Sequence, residues 1–382
     1  MVAKVRPGKK KRGLIRRVFS FVILSVSVLI AAAFLTGHQS TLMSIIDFAT
    51  NRGTAKIADE FFFDIGRGRV FAVLDKSIAG AGTLGIQVLN ADGTETLRES
   101  FKMTTPAITA QNGRAVAYDI GGTSLRVFSG KEVITSLETG TEIISATLNK
   151  NAWMCLCAKG AGAIKSIVTV FDASGKPVYE VKLVSGYVLS AALSPDNKSL
   201  SILNFADSGS RITFYNLNNE NVDRIFELPD EIILDMRFLS TNELLAISTD
   251  SLFLIDSKNA AVKLYAYPGQ SLGGYQLDGD FFTLHVLDYG LGSSGKLITL
   301  DKKGRVLGLL ETDMEIISLS SIDRYLAVLM NDEAVFYDKS LKRIPLSEGS
   351  ELTAGATGIL ALRNGAALVT GSNTVITVRV DD

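Results

Sequence analysis

The sequence predicts an all-β fold: a β-propeller of four-stranded blades, eight favoured and seven the alternative, after one N-terminal transmembrane helix. Three observations carry that expectation. One pattern of strands and turns recurs about eight times, at a spacing of roughly 42 residues, and internal periods of that size define repeat architectures. The 34 glycines against seven prolines suit many tight turns between short strands. An uncharged apolar run of 18 residues stands apart from the repeat, close to the N-terminus.

Residues 1–17 come first, with eight basic side chains from Lys4 to Arg17 and no acid. Residues 18–35 follow, VFSFVILSVSVLIAAAFL, between Arg16-Arg17 and the polar stretch Thr36-Gly37-His38-Gln39-Ser40. At a helical rise of about 1.5 Å per residue this run spans roughly 27 Å, enough for the hydrocarbon core of a bilayer. A cleaved secretory signal is the rival, because Ala31-Ala32-Ala33 imitates a small-residue cleavage site. That triplet lies inside the apolar run, however, with Phe34-Leu35 after it, so an uncleaved anchor is expected. The positive-inside rule then keeps residues 1–17 in the cytoplasm and places the C-terminal body outside, as a single-pass protein of the cell membrane. Residues 36–49 read as a juxtamembrane linker and 50–382 as the propeller.

The body differs in charge from the tail. Of 39 basic residues the tail takes eight, which leaves 31 against 40 acids and a net charge of about −9. An acidic body argues against nucleic acid, whose phosphates call for a basic surface. Apolar content of 47% with 21% charged residues describes a well-cored globular chain.

Within the repeat, each copy runs from an apolar strand through a polar turn into a second apolar strand. The turns are expected at 66–69, 111–114, 149–152, 195–198, 240–243, 277–280, 321–324 and 363–366, where Gly, Asn and Asp tolerate the positive φ of hairpin turns. A third strand ends in an apolar-Asp or apolar-Asn step, as in Val88-Leu89-Asn90, Val170-Phe171-Asp172 and Phe336-Tyr337-Asp338. Another turn and a fourth strand complete the unit, the size of one propeller blade. A blade cannot bury both faces alone, so the copies must stack. The eighth copy ends one strand short, and residues 50–60 are placed to supply that strand and close the ring.

The turn Ser194-Pro195-Asp196-Asn197-Lys198 and steps such as Val170-Phe171-Asp172 resemble degenerate WD-repeat and quinoprotein-like propeller signatures. The whole layout is similar to an uncharacterised family of single-pass, membrane-anchored propellers of Gram-positive bacteria. The Trp-Asp pair of true WD repeats is missing, and the resemblance assigns no functional residue. For a quinoprotein dehydrogenase it would imply a quinone stacked on Trp, calcium held by acids and a repeated Trp-docking motif. Trp153 is the single Trp of the chain, which argues against that cofactor.

The scarce reactive residues offer little chemistry. Cys155 and Cys157 stand at i and i+2, so on a strand they share one face and read as buried packing. His285 alternates with apolar neighbours and reads as a strand-face histidine, and His38 lies beside the apolar run. Asp288 to Lys296 is a Gly-rich departure from the repeat, but a strand follows it, not the helix a dinucleotide site needs. Tyr265-Ala266-Tyr267 reads as an outer strand. No catalytic, cofactor-binding or metal-binding residue is assigned, and no cofactor is expected. The expected function is a membrane-tethered binding or scaffold module for a cell-envelope protein or glycan. The alternative is a membrane-anchored hydrolase or lyase of envelope polymers that uses carboxylates at the propeller channel.

Overall fold

The computed structural model describes residues 60–380, apart from 207–208, 220, 257–259, 290–291, 332, 347–354, 364 and 372–373. The basic tail, the apolar run, the linker and residues 50–59 lie outside the described residues. Among the described residues there are eight antiparallel sheets of four strands each and no helix. In seven sheets the strands follow chain order, as in Val70–Leu74, Ser77–Gly82, Gly85–Asn90 and Glu95–Ser100 of blade 1.

The first strand of each blade is the innermost. These strands are Val70–Leu74, Pro106–Gln111, Ile143–Leu148 and Tyr187–Leu193 in blades 1 to 4. Ile233–Phe238, Ser271–Gln276, Ile316–Ile322 and Gly358–Leu362 follow in blades 5 to 8. The first strand of blade 8 touches that of blade 1, which completes the ring. Second strands are sandwiched between neighbouring blades: Leu244, Leu245, Ala246 and Ile247 are all fully buried. That burial on both faces is why they read as unbroken apolar runs in the sequence.

Connections divide into two faces. First-to-second and third-to-fourth turns form a hairpin face, and the remaining connections form a loop face. Asn112 and Gly113, with φ of 50° and 74°, make a two-residue hairpin turn of the type whose twist matches the flanking strands. The recurrent Asp after the third strand closes the next turn: Asp172 Oδ1 accepts from the amides of Ser174 (2.9 Å) and Lys176 (3.0 Å). Asp301 and Asp338 repeat that geometry, and Gly175, Gly304 and Leu341 occupy the matching left-handed position. The Ser174 hydroxyl and nearby amides hold the Asp172 carboxyl below the usual carboxylate range.

The expected turns from 111–114 onward each join a first strand to a second, but the expected turn at 66–69 does not. Val70–Leu74 is the first strand of blade 1, and Asp75-Lys76 is its hairpin turn. The apolar residues before position 66 belong instead to the closing strand of blade 8 and to its seam with blade 1. Glu60–Phe62 is the outermost strand of blade 8, antiparallel to Thr374–Arg379 with Phe61 opposite Val375. The closing strand is thus N-terminal, as expected, and its described part begins only at Glu60.

Its side chains alternate sharply. Phe61, Phe63 and Ile65 are buried with Ile78, Leu89 and Leu368 between blades 8 and 1, whereas Phe62 is 66% exposed. Gly80 and Gly82 make room for this plug. A Cβ on Gly80 would stand 2.8 Å from Ile65 Cδ1, and one on Gly82 would stand 2.2 Å from the Ile65 carbonyl oxygen. Elsewhere, inner-strand hydroxyls serve the exposed main-chain edge of the next blade. Thr147 Oγ1 donates to the Ala191 carbonyl (2.7 Å), and Ser320 Oγ accepts from the Ala361 amide (3.0 Å).

Truncation of the plug tests its weight. Phe61→Ala and Phe63→Ala are expected to lower unfolding stability by about 3–5 kcal/mol each, the usual cost of emptying a buried Phe site. Phe62→Ala should cost less than about 1 kcal/mol by the same reasoning. Urea unfolding monitored by circular dichroism measures all three, and equal small losses would refute the seam.

Candidate functional site

Five first strands carry a β-bulge near their loop-face end. The pairing skips one residue between Ile143 and Ser145, Val188 and Ser190, Ile233 and Asp235, Leu272 and Gly274, and Ile316 and Ser318. A bulge leaves its extra residue unpaired and re-aims its side chain. The residues so released in blades 3 to 7 are Ile144, Leu189, Leu234, Gly273 and Ile317. Each stands near the start of an innermost strand, at its loop-face end; Leu234 and Ile317 are exposed there, whereas Ile144 and Leu189 are half-buried against the cores between blades.

In blade 6 the released residue is a glycine. Gly273 is exposed, and a Cβ there would come 2.7 Å from His285 Nδ1. His285 itself is buried, as expected, on the second strand of blade 6 (Phe282–Leu287), opposite Gly274. Neither ring nitrogen has a protein hydrogen-bond partner, nor does the buried Thr283 Oγ1, two residues away on the same face of that strand. Burial without a partner lowers the pKa of His285 and keeps the ring neutral.

The exposed apolar surface is distributed unevenly. Among the described residues, 17 large apolar side chains are exposed, and ten of them lie on the loop face or at strand ends beside it. The other seven, Phe62 among them, sit on fourth strands at the outer wall. In blades 4 and 5 the loop-face group includes Val184, Tyr187, Phe205, Ile232 and Leu234, with Tyr187 directly opposite Phe205 in the sheet. Tyr289, in the Gly-rich connection of blade 6, is 76% exposed. Exposed apolar side chains gathered on one face are the usual mark of an interaction surface.

Asp235 and Arg237 are the charged residues of the eight innermost strands. Arg237 Nη2 lies 3.4 Å from Asp235 Oδ2, and Nη1 pairs with Asp278 at the hairpin end of blade 6. Burial alone would lower the Arg237 pKa, but Asp278 and Asp235 more than offset it and raise it above its ordinary value. Tyr275, beside this pair, is pushed up to about 12 by burial and by the Asp235 charge. The channel carboxylates are therefore ion-paired across blades 5 and 6. A shallow polar recess on the hairpin face, lined by Asp196, Lys198, Asn216, Arg224 and Asn242, holds both charge signs and no apolar residue.

Residues 64–344 match the model of a family of unknown function, DUF5711. The chain belongs to that family. The DUF5711 stretch covers blades 1 to 7 and leaves the eighth blade and its closing strand outside the match. No curated protein matches the sequence. Among solved structures, the C-terminal WD40 domain of Sif2 is 15% identical with a TM-score of 0.59, covering 86% of this chain and 96% of that one. Quinohemoprotein alcohol dehydrogenase ADHIIG of Pseudomonas putida HK5 is 11% identical with a TM-score of 0.53, covering 84% and 75%. At such identities the likeness shows the propeller fold alone.

Other residues singled out in the sequence fall into place in this DUF5711 propeller. Cys155 and Cys157 are buried and free, and burial pushes the Cys157 thiol up to about 12. Tyr267 follows the outer strand Ala261–Ala266 but is buried, and its hydroxyl donates to the Ser248 carbonyl at 2.7 Å. A strand, Gly295–Leu300, does follow the Gly-rich connection. His38 lies outside the described residues. The bulges were missed. Their signal was the doublets Ile143-Ile144, Val188-Leu189, Ile233-Leu234 and Ile316-Ile317, which break the period of two.

Two measurements follow from these sites. His285 carries a depressed pKa in the fold and about 6.5 when unfolded, so the unfolded chain binds the proton more readily. Its contribution to stability should be complete above about pH 6.5 and be lost as pH falls below that value. Urea titrations from pH 7.5 to 5 should show that slope, and His285→Leu should flatten it. In turn, Arg237→Met leaves Asp235 without its cation and is expected to cost about 1–3 kcal/mol. Thermal unfolding of this variant beside Asp278→Asn, which removes only the more exposed partner, should show the larger loss for Arg237.

Proposed function

We propose that the chain is a membrane-tethered, extracytoplasmic propeller that binds or scaffolds a cell-envelope protein or glycan through its loop face. The observation that carries this reading is the concentration of exposed apolar side chains on that face, the bulge residues Leu234 and Ile317 among them. Propellers present rigid loop faces, and a tether raises the local concentration of whatever is bound. The uncharged run 18–35 behind eight cations supports the tether. The closing strand Glu60–Phe62 runs from the hairpin side toward the loop face. The hydrolase or lyase alternative has less support, since Asp235 and Asp278 are already engaged by Arg237.

The full-length chain in its own membrane tests both halves of this reading. Photo-crosslinking residues placed at Tyr187 or Leu234 should capture an envelope component, and the same residue at Asp196 or Asn242 on the hairpin face should not. Protease added to intact, wall-stripped cells should remove the propeller. Complete protection would overturn the topology, and equal capture from both faces would overturn the assignment of the loop face.

A further inference from the structure

We propose that the loop face of blades 4 to 7 receives a cationic, apolar peptide segment of a partner protein. This rests on the loop face being the binding surface and specifies the chemistry of the occupant. The apolar contribution comes from the bulge residues Leu234 and Ile317 and from Tyr187, all exposed at the channel mouth.

The electrostatic contribution is one-sided. From Val184 to Glu315, the described loop-face connections contain Asp230, Glu231, Asp250, Asp288, Asp313 and Glu315, and no Lys or Arg. Several of these acids adjoin the exposed apolar residues in sequence, as Asp230-Glu231-Ile232, Asp288-Tyr289 and Asp313-Met314-Glu315. Glu231 is neutralised by Lys263 at 2.9 Å, while Asp230 and Asp313 stand exposed. The hairpin face differs: Asp301 and Asp338 close their own turns and are flanked by Lys302, Lys303, Arg305, Lys339 and Lys342.

An apolar surface rimmed by carboxylates, with no Lys or Arg in the same connections, selects its partner by charge. It repels anionic glycans, phosphate polymers and anionic lipid headgroups, and it attracts a segment that alternates Lys or Arg with large apolar residues. Such a segment can set its apolar side chains on Tyr187, Leu234 and Ile317 and its cations against the flanking acids.

The test uses the full chain in detergent and a peptide of about 12 residues alternating lysine and leucine, long enough when extended to cross the mouth. Fluorescence anisotropy is expected to show binding that weakens about tenfold or more between 50 and 500 mM salt, as screening removes the charge term. Asp230→Asn with Asp313→Asn should weaken binding at low salt and flatten the salt dependence. Asn tolerates the φ of 63° at position 230, so the fold is retained. Leu234→Ser with Ile317→Ser should weaken binding about tenfold at both salt concentrations, the equivalent of about 1.4 kcal/mol. Asp323→Asn on the hairpin face should change nothing.

Equal binding of a lysine-serine peptide would overturn the apolar half of the proposal. Equal binding of a glutamate-leucine peptide would overturn the cationic half, and no binding of the lysine-leucine peptide would overturn both. If that failure is accompanied by continued crosslinking from Tyr187 and Leu234 in cells, the loop face stands and only the occupant's chemistry falls. If the crosslinks are also absent, both readings fall together.

Discussion

The structure depends on one seam. Each blade has two apolar faces and can cover them only with its neighbours, so a row of eight leaves two faces bare unless the row becomes a ring. The closing contact is made by Phe61, Phe63 and Ile65, three side chains at strand spacing that fill the space between blades 8 and 1. Gly80 and Gly82 lack side chains where that plug needs room. The register of Phe61 against Val375 also matters, because a slip of one residue would bury Glu60 and Phe62 in its place.

Within the closed ring the two faces acquire different chemistry from the same repeat. On the hairpin side, strand direction is reversed by tight turns whose Asp and Asn side chains are consumed by local hydrogen bonds. Asn149 even reaches across to the Ser194 carbonyl at 2.9 Å and so laces blade 3 to blade 4. On the loop side, bulges interrupt the ladder of the innermost strand in blades 3 to 7 and release one residue from each pairing. Leu234 and Ile317 are exposed there, whereas Ile144 and Leu189 pack against the cores between blades. In blade 6 the released residue is Gly273, and the His285 ring packs closely over it.

Much of this was legible in the amino-acid sequence, for identifiable reasons. Hairpin turns announce themselves through residues that accept positive φ, and the third-strand Asp recurs because its carboxylate must accept two amides. Doubly buried strands announce themselves through continuous apolar runs. The missing strand of the last blade was visible as a shortfall, and its donor was correctly sought near the N-terminus. Its position at Glu60–Phe62 was less legible, because a strand that pairs with residue 375 carries no local mark of its distant partner. The functional surface was less legible. Bulges shift side-chain direction by one residue without changing composition, and Leu234 reads as core until its pairing is known. Asp235 and Arg237 carry no distinguishing mark in the sequence, and only the topology sets them on an innermost strand within reach of Asp278.

The strand that closes the ring is also the strand through which the preceding chain enters it. Glu60–Phe62 runs lengthwise along the outer edge of blade 8, so tension applied upstream of Glu60 is delivered in shear to its pairing with Thr374, Val375 and Ile376. The first side chain to resist is Phe61, followed by Phe63 and Ile65 in the seam itself. Mechanical load on the N-terminal side and integrity of the ring are therefore the same quantity, and the propeller would yield to a pull by opening between its last blade and its first.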